Sequence, residues 1–216
     1  MQTAIDQPSL QPICLVGYSG HGFVAADILQ ASGQVIAGYA DREEKTTNPF
    51  HLPYWGPETS LTAEQLSAND FFVAIGDNII RHRVYTHLAA HGASFAKAVH
   101  PAAVLAATVQ LPAAILIAGG AVINPLVDIG AGAIINTRAS IDHECIVGAF
   151  AHIGPGVVLC GNVKVGAFTF VGAGSIVKQG VSIGANSMIG AGSLVLHDLP
   201  DNCLAFGQPA RVVKTF

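Results

Sequence analysis

The stretch I-D-H-E-C-I-V-G-A-F-A-H-I-G-P-G-V-V-L, residues 141–159, places an aliphatic residue at every sixth position: Ile141, Val147, Ile153 and Leu159. Followed outward, the series runs unbroken from Val99 to Val195, seventeen times in all. A period of six fits neither a lone α-helix nor a simple strand, whose side chains repeat every 3.6 and 2 residues. It marks an internal repeat, and a repeat determines the architecture before propensities do. Beside the anchors run two further registers. Four residues after an anchor stands a small or β-branched residue, as at Ala133, Ala139, Cys145, Ala151, Val157 and Val163. The residue just after the anchor is glycine at 130, 148, 154, 166, 172, 184 and 190. Each unit therefore reads as a short strand and a corner, with the anchor inward, the small residue where the interior narrows, and glycine supplying corner dihedrals barred to other residues. Three units close one triangular coil of eighteen residues, so residues eighteen apart stack in a parallel β-helix.

This motif resembles the hexapeptide repeat of the left-handed parallel β-helix acyltransferases. The left-handed sense comes from the resemblance, since the crossover rule favours the opposite hand. A β-helix without acyltransferase activity, as in the γ-type carbonic anhydrases, is the alternative. Those enzymes need three metal-binding histidines, which the spacing here does not obviously supply, so no metal is expected.

Composition sets outer bounds. The chain has 216 residues, 51% of them hydrophobic and only 11% charged, with a net charge of −4. No uninterrupted run of eighteen apolar residues occurs, so no membrane span is expected and a solenoid interior accounts for the apolar excess. No basic region followed by an apolar core opens the chain, so no signal peptide is expected. Cys14, Cys145, Cys160 and Cys203 show no Cys-x-x-Cys spacing and read as reduced packing residues of a cytoplasmic protein. Without a basic patch, nucleic acid is an unexpected partner.

The N-terminal third has a different grammar. Residues 13–16 read as a buried strand, followed by G-Y-S-G-H-G at 17–22 and an Ala-rich helix over 23–29. A second strand over 35–39 leads to Asp41, and a third over 71–75 runs into Gly76-Asp77-Asn78 before a helix around 80–90. Strand, glycine turn, helix, strand, acidic residue is the opening of a small α/β, Rossmann-like nucleotide-binding unit. Its turn is suited to let backbone N–H groups and a helix N-terminus face a phosphate. The spacing is G-x-x-G-x-G rather than G-x-G-x-x-G, and the segment is short for a doubly wound sheet, which disfavours hydride transfer. The expected organisation is an α/β domain over 1–98, a β-helix over 99–200 and a C-terminal tail over 201–216.

Taken together, the chain resembles the sialic-acid O-acetyltransferase-like family of bacterial sugar acyltransferases. Within it the likeness is greatest to N-acetyltransferases acting on UDP-linked 4-amino-4,6-dideoxy sugars. It rests on G-Y-S-G-H-G (17–22), F-F-V-A-I-G-D-N (71–78), V-H-P (99–101), I-D-H-E-C-I-V-G (141–148), H-I-G-P-G (152–156) and G-Q-P-A-R (207–211). The resemblance implies acetyl-CoA as cosubstrate, a UDP-amino sugar as acceptor and a homotrimer with acetyl-CoA between neighbouring β-helices.

Acetyl transfer from a thioester needs a base, a means of stabilising the oxyanion and juxtaposed substrates. Histidine suits the first, with an unperturbed pKa of about 6.5. His143, flanked by Asp142 and Glu144, is the candidate. The resemblance implies His143 as base and Glu144 as its partner, with Asp142 an alternative orienter. Adjacent strand residues face opposite ways, so a His143–Glu144 contact requires a corner or bulge. No Cys or Ser of the motif stands as an obvious nucleophile, so the amine is expected to attack the thioester directly. His152 lies half a coil away from His143, which points to a site shared between subunits, and the resemblance places it on acetyl-CoA. Ala173 and Ala191, eighteen apart, match positions whose backbone touches the cofactor, and Gly172 and Gly190 would admit its pantetheine arm. For the sugar nucleotide the resemblance implies Ser19, Gly20 and His21 at the diphosphate, Asp41 at uracil or ribose, and Gly76. Ala40 stands where an acidic residue is common in close relatives, which loosens the uridine assignment. A sugar O-acetyltransferase and a non-catalytic nucleotide-sugar-binding trimer remain alternatives.

Overall fold

The computed structural model describes residues 11–216, and the chain divides into two units that meet in sequence between Pro101 and Ala102. In the first unit, β1 (Ile13–Val16), β2 (Ile36–Ala40), β3 (Asp70–Val73) and β4 (Ser94–Phe95) form a parallel sheet in the order β2-β1-β3-β4. Helices α1 (Gly20–Ala31) and α3 (Asn78–Ala90) follow β1 and β3, and a short α2 (Ala63–Ala68) precedes β3. β1 is buried along its whole length, as a central parallel strand covered on both faces must be. Its Ile-Cys-Leu-Val sequence is therefore continuous in apolar character. The Cys14 thiol lies in this core, where burial pushes its pKa up to about 12. Both helices start earlier than the hydrophobic pattern suggests. Asp77 caps α3 by accepting the Ile80 N–H at 2.8 Å, which draws Asn78 and Ile79 into the helix.

The second unit is a parallel β-helix. Two-residue strands recur every six residues and pair in parallel with strands eighteen residues away: Ser140–Ile141, for example, pairs with Val122–Ile123 and Val158–Leu159. From Ile117 to Val195 each sixth-residue anchor is at most 3% exposed. Burying one such aliphatic side chain contributes roughly 1.5–3 kcal/mol. The small register is buried throughout, and its hydroxyls are satisfied internally: Thr169 Oγ1 donates to Gly184 O at 2.6 Å and Ser175 Oγ to Gly190 O at 3.1 Å.

The corner glycines correct the sequence reading. None of the glycines directly after an anchor has positive φ. The left-handed position lies two residues later, at Ala114, Gly120, Leu126, Gly132, Arg138, Glu144, Phe150, Gly156 and on to Gly192, again every six residues. The glycines after the anchors are instead demanded by the stack: a Cβ on Gly148 would lie 2.4 Å from Ala167 N, and one on Gly172 would lie 2.5 Å from Ala191 N. Gly172 and Gly190 thus make room for the next layer of protein, Ala191 and Phe206.

Residues expected as a tail form an antiparallel hairpin, Cys203–Gly207 with Ala210–Thr215, whose first strand pairs in parallel with Met188–Ile189. Cys203 and Ala205 point into the solenoid and are fully buried, while Phe206 is half exposed, so the period has changed from six to two.

Candidate active site

His143 stands at the corner between the strands Ser140–Ile141 and Ile146–Val147. Its neighbour Glu144 occupies the left-handed position, φ 59°. That conformation turns the Glu144 carboxylate back, and Oε2 lies 3.0 Å from His143 Nδ1. An ionised carboxylate only accepts, so the neutral ring carries its proton on Nδ1 and leaves Nε2 able to take one. Asp142 contributes differently. Its Oδ1 accepts the His143 N–H at 2.8 Å and Asn124 Nδ2 at 2.9 Å, and these bonds hold its carboxyl below the usual carboxylate range. Asp142 therefore fixes the backbone of His143, and Glu144 fixes the ring. Eighteen residues on, Gly161 lies against the imidazole: a Cβ there would stand 2.6 Å from both Cε1 and Nε2. Cys145 is fully buried, its thiol donates to Cys160 O at 3.2 Å, and burial raises its pKa, so it is no ready nucleophile.

His152 sits on the strand His152–Ile153, between Ile134–Ile135 and Phe170–Val171. This face is the one opposite the His143 corner in the three-sided coil. Within one β-helix the two histidines are therefore not brought together. His152 is only 9% exposed, its Nε2 accepts from Asn136 Nδ2 at 3.1 Å, and its ring meets Phe170 edge-on at 5.0 Å. Asn136 is in turn held through Oδ1, which accepts the Thr137 N–H at 2.7 Å. Ala173 and Ala191 are exposed and stacked, with the Gly192 N–H donating to Ala173 O at 2.8 Å.

The sequence reading missed Asn124 and Asn136. A signal for them exists. Both, with Asp142, occupy the position after an anchor where glycine prevails. Folded onto eighteen-residue coils, one corner (residues 106, 124, 142, 160, 178 and 196) has no glycine at this position, and it is the corner that carries His143.

In the first unit the turn after β1 gathers a second set of residues. Gly17 needs its φ of 92°, and Gly22 lets α1 approach, since a Cβ there would lie 2.4 Å from Gly17 O. Ser19 is the N-cap of α1, but its side chain makes no capping hydrogen bond, and both Ser19 and Gly20 are exposed. The first turn of α1 contains no acidic residue, so its N–H groups are suited to an anion. His21 packs beside Gly76 and is held neutral, its pKa lowered to about 4 by burial and by the charge of Arg81. Arg81, 2% exposed, was not anticipated. Its Nη1 donates to Ile75 O at 2.9 Å and Gly76 O at 3.0 Å, and its Nη2 to Asn78 Oδ1 at 2.9 Å. Burial brings its pKa down to about 10, so it stays cationic at neutral pH. Asp41 Oδ2 accepts the Tyr18 N–H at 2.8 Å, and Oδ1 accepts the Arg42 N–H at 2.7 Å and lies 3.3 Å from Lys45 Nζ. It ties the glycine turn to the end of β2.

Among the described residues no group of three or more His, Cys, Asp or Glu side chains could hold a metal ion. No described helix is long and apolar enough to cross a membrane.

Residues 12–88 match the family described as PglD N-terminal domain, and residues 162–197 match bacterial transferase hexapeptide (six repeats). Among solved structures, perosamine N-acetyltransferase from Caulobacter crescentus shares 37% identity with this chain over 95% of it and 98% of that chain, with a TM-score of 0.90. That protein was crystallised with CoA and GDP-perosamine, here with one histidine replaced by asparagine. The acetyltransferase domain of PglB from Neisseria gonorrhoeae, in complex with acetyl coenzyme A, is 29% identical over 95% of this chain and 100% of that one, with a TM-score of 0.86. WeeI from Acinetobacter baumannii shares the fold, with 19% identity over 94% of this chain and 99% of that one and a TM-score of 0.76.

Proposed function

Because the chain belongs to the hexapeptide-repeat sugar acetyltransferases with a PglD-type N-terminal domain, we propose that it N-acetylates the 4-amino group of a nucleotide-linked 4-amino-4,6-dideoxy sugar, with acetyl-CoA as donor and His143 as base. The observation that carries this reading is the Glu144–His143 pair, whose ring proton is engaged at Nδ1 and whose side chain is 48% exposed at the corner.

In the reaction the sugar amine attacks the thioester carbonyl carbon and a C–N bond forms. His143 Nε2 takes the amine proton, and Glu144 stabilises the resulting imidazolium. The C–S bond then breaks as the oxyanion collapses, and the departing thiolate takes up a proton to leave CoA and the acetamide. No acyl-enzyme intervenes. His152, steadied by Asn136 and Phe170, serves the acetyl-CoA side, and the stacked backbones of Ala173 and Ala191 line the cofactor's path. The N-terminal unit takes the sugar nucleotide: Ser19 and the Gly20 and His21 amides at the diphosphate, with Gly76 beside them and the buried cation of Arg81 beneath.

The protein works as a homotrimer with its sites between subunits. His143 and His152 lie on opposite sides of one coil, so a site that uses both takes one from each of two β-helices. An outward row with Val104, Val158 and Ile176 at 60%, 36% and 45% exposure supplies apolar surface for such contacts. The protein acts in the cytoplasm, where acetyl-CoA and nucleotide sugars are made.

Uridine is the carrier expected from the sequence resemblance, whereas the perosamine N-acetyltransferase was crystallised with a guanosine diphosphate sugar. The decisive assay is acetyl-CoA consumption across UDP- and GDP-linked 4-amino sugars and their 4-hydroxy counterparts. Turnover of amines alone is the expected result; turnover only of hydroxyl acceptors, sialic acid included, would make it an O-acetyltransferase.

A further inference from the structure

A pocket opens at the C-terminal ends of β1, β2 and β3, beside the glycine turn at 17–22. Its floor is apolar, built from Val16, Ala40, Ile75 and Val84. Such a floor suits a flat aromatic ring, and the carboxyl ends of parallel strands are where open α/β sheets bind nucleotides. Its polar lining is Arg42, Glu58 and Arg83, together with Asp41.

Of the two carboxylates, Asp41 is committed to the turn through the Tyr18 and Arg42 N–H groups. Glu58 accepts no hydrogen bond from any described residue, yet its position is fixed. The segment leading to it runs along β2, with Tyr39 N–H donating to Pro53 O at 2.9 Å, Trp55 N–H to Tyr39 O at 2.9 Å and Asp41 N–H to Gly56 O at 3.1 Å. A 3₁₀ turn, Glu58–Ser60, is then closed by Ser60 N–H on Pro57 O at 2.9 Å. The strap therefore brings Glu58, whose carboxylate accepts no hydrogen bond from a described residue, to a pocket that Arg42 and Arg83 also line.

That combination distinguishes nucleobases. Guanine presents two adjacent N–H donors, N1 and N2, which a carboxylate accepts in parallel, and two acceptors, O6 and N7, which suit a guanidinium. Uracil presents a single N–H between two carbonyl oxygens, so a carboxylate set against it meets lone pairs. We propose that this pocket, with Glu58 as reader and Arg42 and Arg83 as partners, selects a guanosine diphosphate sugar over its uridine counterpart. The inference rests on the sugar-nucleotide reading above and departs from the uridine carrier expected from the resemblance.

Calorimetric titration of the full-length protein with GDP and with UDP, each alone, tests it. GDP is expected to bind about ten- to a hundredfold more tightly than UDP, the margin of one bidentate base contact. Glu58→Gln is expected to erase that margin by weakening GDP while leaving UDP unchanged. The substitution is isosteric, at a half-buried residue without a partner, and an unchanged melting temperature checks the fold. UDP binding as tight as GDP, or a GDP/UDP ratio unmoved by E58Q, would overturn the assignment of guanine. Failure of both nucleotides to bind would instead overturn the sugar-nucleotide reading itself, and the base assignment with it.

Discussion

Glu144 reaches the imidazole of the residue just before it, Oε2 to Nδ1 at 3.0 Å, because its backbone is left-handed at φ 59° while that of His143 is not. In a flat strand the two side chains would point apart. The corner thus does for adjacent residues what a tertiary contact does elsewhere, and it leaves Nε2 as the nitrogen able to take a proton. His143→Ala is expected to lower kcat about 10²- to 10⁴-fold, the usual worth of a positioned base. Glu144→Ala, which keeps the base but frees its ring, is expected to cost about ten- to a hundredfold. Acetyl-CoA affinity should hold in both, as measured by calorimetry. Initial-rate patterns should be sequential; a trapped acetyl-enzyme would refute direct attack.

The second contact on that ring comes from the coil above or below. A Cβ at position 161 would lie 2.6 Å from His143 Nε2. Gly161→Ala therefore forces the imidazole off its station without removing any catalytic atom. Turnover is expected to fall about tenfold or more, since an ångström of misplacement is costly in a preorganised site. Acetyl-CoA binding should persist. A G161A enzyme with normal kcat would mean that the ring's observed position is not the working one.

The legibility of this molecule divides along physical lines. The β-helix was plain in the sequence because burial writes itself into side-chain type: anchors such as Ile141 and Val147 must be aliphatic to fill the interior. The left-handed corner register was only partly written: Gly or Asn stands there at 120, 132, 156, 162, 174, 180, 186 and 192, but Leu126, Arg138, Glu144 and Phe150 adopt it too, at a cost of roughly 1–2 kcal/mol each. The glycines directly after the anchors were legible in place but misleading in cause, since they serve the stack and not the turn. The His143–Glu144 pairing needed the corner to be known first. Arg81 was hidden for a different reason: an arginine on a helix reads as solvated, and only the fold shows it turned inward onto the carbonyls of Ile75 and Gly76.

Those carbonyls make Arg81 hard to replace. Its guanidinium donates to Ile75 O, Gly76 O and Asn78 Oδ1 at 2.9–3.0 Å in a site only 2% exposed. Arg81→Met fills similar space but strands two carbonyl oxygens and the Asn78 amide oxygen. The expected loss is about 3 kcal/mol or more, read as a lower denaturant midpoint for the N-terminal unit. A loss below about 0.5 kcal/mol would show that water replaces the guanidinium.

The neighbouring His21 supplies a pH signature. Its pKa falls from 6.5 to about 4 in the folded chain, so between these values the unfolded chain binds the extra proton. Stability therefore rises with pH through this window, is complete above about pH 6.5, and is lost as pH falls towards 4. The full effect is at most about 3.5 kcal/mol, at about 1.4 kcal/mol per unit. Chemical denaturation from pH 4 to pH 7 should show this slope in the wild type. His21→Gln should flatten it; an equal slope in both would assign the titration to other groups.

The placement of His143 and His152 on opposite sides of one coil predicts how crippled subunits behave when mixed. H143A and H152A should each be nearly inactive alone. In a trimer whose sites take His143 from one subunit and His152 from the next, a site survives when the H152A chain supplies His143 and the H143A chain supplies His152. Random assembly from an equal mixture gives this pairing at about one quarter of the interfaces. Unfolding and refolding the two together should therefore restore about a quarter of wild-type activity, measured as acetyl-CoA consumption with the acceptor sugar. Light scattering of the mixture should give three chains per particle. Trimers that form but regain nothing would place both histidines in the service of one subunit's site, and a monomer in solution would remove the shared site altogether.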